Sequence, residues 1–252
     1  MNSEARFKEI LSVLERDRIV YTSDLIKNLN VSEATIRRDL QHLESTGKLK
    51  RIAGGAIQVK RDNILTPDDE IYMNHRMNIN WEAKKSIAKM ACDEIKDGEC
   101  VFLDGGSSIV PMIDLLKNRR IRIVTNNHLV LARIGENCRA EVMVIGGEFM
   151  NKYSMSTGSE AVVQANAYNY DRCFVSCTGF DIEKNMSYLA EHHTKSVKNA
   201  VLNNSKIKYL LVDHSKEGVV GFCKFVELST FDKVFCDTLN DRENCPSNFK
   251  LL

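Results

Sequence analysis

The stretch "VSEATIRRDL", residues 31–40, sets two arginines side by side between apolar ends. Its local chemistry predicts a helix. Ser32 is a favourable N-cap, because its hydroxyl can accept from an orphan N–H of the first turn. Val31 and Ile36 have the spacing of a hydrophobic staple. Ile36, Leu40 and Leu43 then recur at i, i+4 and i+7 as one buried stripe. Ala34, Arg38 and Gln41 fall opposite that stripe, flanked by Thr35, Arg37 and His42. A solvated helix face usually mixes Glu with Lys. This one collects guanidiniums, an amide, a hydroxyl and an imidazole, groups that pair with base edges and phosphates in a DNA major groove.

The neighbouring sequence supports that reading. Upstream, "SEARFKEILSVLERD" (3–17) carries Phe7, Ile10, Leu11 and Leu14 at helical spacing. "TSDLIKNLN" (22–30) has Thr22 as its expected cap, then Leu25, Ile26 and Leu29, and ends in Asn. Only Asn30 and Val31 separate Leu29 from Ser32, so two short helices meet at a tight turn, the second of them basic: a helix-turn-helix. After it, "GKLKRIAGGAIQV" (47–59) reads as strand, Gly54-Gly55, strand, a hairpin signal that makes a wing. The expected DNA-contacting set is Ser32, Thr35, Arg37, Arg38, Gln41, His42, Lys48, Lys50 and Arg51.

Charge divides the chain at the same place. Over all 252 residues the formal charge is only +1, but residues 1–61 hold twelve Lys/Arg against eight Asp/Glu, net +4. The remainder holds 23 against 26, net −3. A basic small domain joined to a slightly acidic large one fits DNA binding by one end. Hydrophobic residues make up 43% and charged residues 27%, an ordinary globular composition. No apolar run approaches the roughly 20 residues a membrane helix needs. "MNSEARFKE" has no signal-peptide core, so the cytosol is the expected location. Without secretion, the eight cysteines are expected to be free, mostly buried thiols. No C-x-x-C occurs and His192-His193 has no ligand partners at a recognisable spacing, so neither a metal nor a cofactor is expected. Residues 60–80, polar and containing Pro67, read as a linker between a domain over 1–59 and one over 81–252.

From Trp81 the pattern becomes α/β. "EAKKSIAKMACDEI" is an amphipathic helix, succeeded by short apolar runs: "CVFL", "IRIV", "EVMVI", "RCFVS", "YLLV" and "KVFC". Such runs separated by helical stretches predict a largely parallel sheet covered on both faces. Four of them lead into segments that carry chemistry: "DGGSS" (104–108), "TNN" (125–127), "GGE" (146–148) and "DHSK" (213–216). Ligands of open α/β sheets collect at the carboxyl ends of strands. Ser107 or Ser108 can cap the next helix, and free N–H groups with hydroxyls suit a phosphate. Asp104 suits sugar hydroxyls, and Lys195 and Lys216 can supply positive charge.

Both halves resemble one family, the DeoR-type bacterial transcription regulators. The family's N-terminal signature matches Arg6, Ile10, Leu14, Ser32, Thr35, Ile36, Arg37, Asp39 and Leu40, and the wing's "GGA" matches Gly54 to Ala56. Ala53 stands where many relatives have His. The resemblance continues through 104–108, Thr125-Asn126, Gly146-Gly147, Glu191 with Lys195, and Asp213, Ser215 and Lys216. It implies a sensor domain similar to ribose-phosphate isomerases and glucosamine-phosphate deaminases, which binds a phosphorylated sugar and controls DNA binding. The expected effector set is Asp104, Gly106, Ser107, Ser108, Thr125, Asn126, Gly147, Glu191, Lys195, Asp213 and Lys216. Ser176 stands where relatives usually have Gly. The expected protein is a homo-oligomeric repressor of sugar genes that binds duplex DNA, its linker near Pro67 carrying the effector's influence to the DNA-binding part. Two readings compete: a sugar-phosphate isomerase or deaminase with an appended DNA-binding domain, using Asp104, Glu191 or Asp213 as base, and a DNA-binding protein whose second domain only oligomerises.

Overall fold

The computed structural model describes residues 3–46, 48–58 and 64–252; the start of the expected linker, 60–63, lies outside them. The chain forms two compact units. One holds the described residues up to 58 together with Asp68–Asn80, and the other holds Ile64–Pro67 and Trp81–Leu252.

The first unit is a winged helix-turn-helix. It contains α1 (Ser3–Asp17), β1 (Ile19–Tyr21), α2 (Thr22–Leu29), α3 (Glu33–Ser45), β2 (Leu49–Ile52) and β3 (Gly55–Gln58). The strands pair antiparallel in the order β1-β3-β2. Ser32 caps α3 by accepting from the Thr35 N–H at 3.3 Å. Asn30 closes α2 in the left-handed conformation (φ 50°), which makes the tight turn. Thr22 is not the cap of α2: Tyr21 occupies that position without a side-chain bond, and the Thr22 N–H instead donates to the Gly54 carbonyl at 2.8 Å. The wing's two glycines differ in purpose. Gly54 has φ +79°, whereas a Cβ on Gly55 would lie 2.0 Å from the Val20 carbonyl oxygen. The core comprises Ile10, Leu14, Val20, Leu25, Ile36, Leu40, Leu43, Leu49 and Ala56. Arg6 and Asp39 tie α1 to α3 through a two-pronged pair, Nε–Oδ2 at 2.6 Å and Nη2–Oδ1 at 3.0 Å. The pair gives two of the signature residues a structural purpose.

The interval expected to be a linker contains structure of its own. Helix α4 (Met73–Arg76) lies in it, and Met73 is buried.

The second unit is a three-layer α/β/α domain. Its elements are α5 (Trp81–Cys92), β4 (Cys100–Leu103), α6 (Met112–Leu116), β5 (Arg122–Thr125), α7 (His128–Leu131), β6 (Glu141–Val144), β7 (Glu148–Met150), β8 (Met155–Thr157), α8 (Gly158–Asn166), β9 (Tyr170–Val175), β10 (Gly179–Asp181), β11 (Met186–Leu189), α9 (His193–Asn203), β12 (Ser205–Leu211), β13 (Cys223–Glu227), β14 (Lys233–Cys236) and β15 (Phe249–Leu251). Seven strands form one sheet in the order β15-β14-β12-β9-β4-β5-β6, every neighbouring pair parallel. Alternation along each strand supplies both faces. Val101, Leu103, Ile123 and Phe174 pack with α5 and α6. Phe102, Val124, Cys173 and Val175 pack with α8 and α9. All eight cysteines are free thiols, and burial pushes the Cys173 and Cys177 thiols up to about 11. No helix among the described residues is long and apolar enough to cross a membrane.

The strand order positions the site. The chain lays down β4, then β5 and β6 to one side, and returns past β4 to start β9 and build outward the other way. The reversal falls between β4 and β9, the switch point where open α/β sheets hold their ligands.

Ile36 is fully buried in the centre of the head. Ile36→Ala should cost about 2–5 kcal/mol, seen as faster exchange of the α3 amides in mild urea.

Candidate functional site

The residues expected to face DNA lie on α3 and the wing, with Lys48 leading into it. Arg38 and Gln41 are exposed and have no partner among the described residues. Arg37 is exposed too, but its guanidinium rests on Glu33 at 2.6 Å, one turn back. An exposed i,i+4 pair is worth only about 0.3–0.5 kcal/mol, so Arg37 can exchange Glu33 for a phosphate or base at little cost. His42 is exposed and stacks on Phe7 with centroids 5.0 Å apart. Ser32 and Thr35 are engaged with each other at the cap, hydroxyl to hydroxyl at 2.9 Å. Lys48 and Lys50 are exposed. Arg51 is held to α3 by Glu44, which accepts from the Arg51 N–H at 2.8 Å and fixes β2 against the helix. Arg38 and Gln41 are therefore the groups on α3 best poised to read bases.

The switch point of the larger unit is polar and buried. Asp104 follows β4 and Ser176 follows β9. Asp104 Oδ2 accepts from the Ser176 N–H at 3.0 Å, from the Ser176 hydroxyl at 3.2 Å and from Lys198 Nζ in a short bond. Lys198 also donates to the Ser176 carbonyl at 3.0 Å. Gly106 passes so close that a Cβ there would sit 1.8 Å from the Ser176 hydroxyl oxygen. Beside this cluster, the Ser107 and Ser108 hydroxyls and Asn126 Oδ1 are buried without a hydrogen-bond partner. A buried polar atom left unpaired costs about 1–3 kcal/mol. Toward a ligand, the two hydroxyls can donate to its oxygens, and Asn126 Oδ1 can accept from one of its hydroxyls.

Other expected effector residues shape the walls. Thr125 donates to the Leu103 carbonyl at 2.6 Å, and Asn127 Nδ2 donates to the Asp104 carbonyl at 2.9 Å, which locks β5 to β4 at the site. Asn126 Nδ2 donates to the Ser156 carbonyl at 2.9 Å. Gly147 has φ +125°, and a Cβ there would meet the Thr157 carbonyl at 2.4 Å, a backbone requirement. Lys216 is buried and donates to the Cys177 carbonyl at 2.8 Å, next to Ser176. Asp213 accepts from the Ser215 N–H and hydroxyl, folding the turn that carries Lys216.

Two expected residues lie apart from the cluster. Lys195 donates to the Lys224 carbonyl at 2.8 Å. Glu191 caps the start of α9, its Oε1 accepting from the His193 N–H at 2.9 Å and His193 Nδ1 at 2.6 Å. Burial would raise the Glu191 carboxyl, but the His193 bonds and both imidazoles outweigh it and hold it below the usual range. Glu191, His192 and His193 bring three metal-capable atoms within 4.8 Å of one another, with both histidines exposed. The cation that reaches Asp104 is Lys198, which sequence reasoning passed over for Lys195. A signal was present: Thr194, Val197, Lys198 and Val201 form the buried stripe of α9, so Lys198 stands at a core position.

Family models match both units: a DeoR-like helix-turn-helix domain over residues 6–62 and a DeoR C terminal sensor domain over residues 79–238. A lactose phosphotransferase system repressor from Lactococcus lactis subsp. lactis is 30% identical over 221 residues, covering 86% of this chain and 84% of its own. The HTH-type transcriptional regulator FruR of Bacillus subtilis (strain 168) is 31% identical over 228 residues, covering 89% and 87%. Among solved structures, ribose 5-phosphate isomerase A from Methanocaldococcus jannaschii matches over 55% of both chains, with a TM-score of 0.41 and 17% identity. The full-length sorbitol operon regulator SorC from Klebsiella pneumoniae covers 83% of this chain and 90% of its own, with a TM-score of 0.38 and 10% identity. At those scores the likenesses carry nothing further.

Lys198→Ala should destabilise the larger unit by about 3–5 kcal/mol, because it strands a buried carboxylate. Adding Asp104→Asn should recover part of that loss, read by denaturant titration. On the head, Arg38→Ala should weaken binding to a duplex enriched from a randomised pool by about 1–3 kcal/mol and relax preference at one base pair. Lys50→Ala should weaken all duplexes alike and lower the salt slope by about one.

Proposed function

This chain belongs to the DeoR family of DNA-binding transcription regulators, and we propose that it represses genes for sugar uptake or breakdown under the control of a phosphorylated sugar. The observation that carries the effector half is the trio of buried, unpartnered atoms at the switch point, Ser107 Oγ, Ser108 Oγ and Asn126 Oδ1. A phosphate over the two serines and a sugar hydroxyl at Asn126 would complete every one of them. The relatives named as lactose phosphotransferase system repressors support both the sign of regulation and the sugar class.

The site works as a receptor, not a catalyst. A general base at the sugar needs a carboxylate free to take a proton. Asp104, the carboxylate at the switch point, is held on Oδ2 by Lys198 and Ser176. Asp213 is engaged by Ser215, and Glu191 caps α9.

The regulator acts as at least a dimer. One wing and one recognition helix bury little DNA surface, and two heads read a palindrome. Light scattering at micromolar concentration should show no monomer.

A panel of hexose phosphates tests the effector. At a hundredfold excess over Kd, the matching sugar should stabilise the protein by about 2.7 kcal/mol, roughly 5–10 °C in melting temperature for a domain of this size. The unphosphorylated sugar should give no shift. Ser107→Asp with Ser108→Asp should abolish the shift and leave duplex binding intact. A rise in melting temperature that survives both substitutions would place the ligand elsewhere.

A further inference from the structure

Residues 64–67 belong to the larger unit although residues of the smaller unit, 68–80, follow them directly in sequence, and they are held by loops of the larger unit. The Leu65 N–H donates to the Val220 carbonyl and the Phe222 N–H donates to the Leu65 carbonyl, both at 2.8 Å, which makes an isolated parallel bridge between Leu65 and Gly221. Lys152 donates through Nζ to the Pro67 carbonyl.

Each grip leads back to the site by a short chain of bonds. From Gly221 the loop runs back to Lys216, whose amine holds the Cys177 carbonyl, and Cys177 follows Ser176, which holds Asp104. From Lys152 the chain passes Ser154, whose carbonyl accepts from the His128 N–H, to Ser156, which exchanges bonds with Asn126. Both arms thus end at groups that flank the unpartnered atoms of the site. On the other side of Pro67, residues 68–80 pack within the head: Arg18 meets Asp69 at 3.8 Å, the His75 ring sits edge-on to Tyr21 at 5.9 Å, and Met73 is buried.

We propose that residues 64–67 form a clamp through which the occupied effector site acts on the head. The proposal rests on the reading of that site as a sugar-phosphate receptor. The clamp suits a switch because it is local. It is one bridge beside Ile64 and Phe222, which are 57% and 62% exposed, and such a bridge opens without disturbing the sheet. A ligand that prefers the closed clamp shifts its population. The closed clamp fixes where the chain leaves the sensor for Asp68, and with it the freedom of the head.

The test uses the full chain with glucose 6-phosphate, galactose 6-phosphate and fructose 1-phosphate as probes. The readouts are melting temperature, amide exchange at Leu65 and Phe222, and affinity for a duplex enriched from a randomised pool. Lys152→Met and Leu65→Gly each loosen one grip without touching the site. A probe that raises the melting temperature should slow exchange at both amides and change duplex affinity about fivefold or more in the unaltered protein. In both variants it should still raise the melting temperature, while the affinity change shrinks below about twofold. If the probe binds and both variants keep the full response, or exchange at Leu65 stays the same, the clamp is wrong and the site stands. If no probe shifts the melting temperature, the reading of the site falls and the clamp falls with it.

Discussion

The ion pair between Asp104 and Lys198 holds together the switch point of the larger unit. Both side chains are almost wholly buried. Charges removed from water are tolerated only with close geometry and further hydrogen bonds. Ser176 supplies those bonds, its N–H and hydroxyl to the carboxylate and its carbonyl to the ammonium. The result ties β4, β9 and α9 together at the one place where the sheet's winding reverses. The Ser176 hydroxyl bonds the carboxylate while Gly106 leaves the room it needs.

That arrangement explains why the neighbouring hydroxyls are left unpaired. Lys198 is already committed to Asp104 and the Ser176 carbonyl, and Lys216 to the Cys177 carbonyl. On the proposed reading, a bound effector would recover the cost of burying those atoms. Stability given up at a site in this way is a common trade for function.

The head is built on a different balance. The charges of α3 and the wing are exposed and weakly held, while Arg6 and Asp39 form an ion pair turned inward to join α1 to α3. Of the signature residues, Arg6, Ile36, Asp39 and Leu40 build the domain, and Arg37 stays exposed with only Glu33 as a partner among the described residues. A reading from sequence does not separate these purposes, because Arg6 and Arg37 are the same residue type and only packing decides which one is turned inward.

Sequence alone determined the local patterns that mark the two folds. Period and capping marked the helix-turn-helix, glycines marked the wing, and apolar runs ending in small and polar residues marked the strands and the edge where a ligand belongs. These are local patterns, each fixed by a few neighbouring residues. Strand order, the choice of Lys198 over Lys195, and the bond from Ser176 to Asp104 were decided only in the tertiary structure. Each joins residues far apart in the chain: Asp104 and Lys198 are 94 positions apart. The same holds for 64–67, part of the polar, proline-bearing stretch 60–80 that reads as a plain linker. Its partners at Lys152 and Gly221 become visible only when the sheet brings their loops to one edge, since a backbone hydrogen bond leaves no mark on the identity of the residue that accepts it.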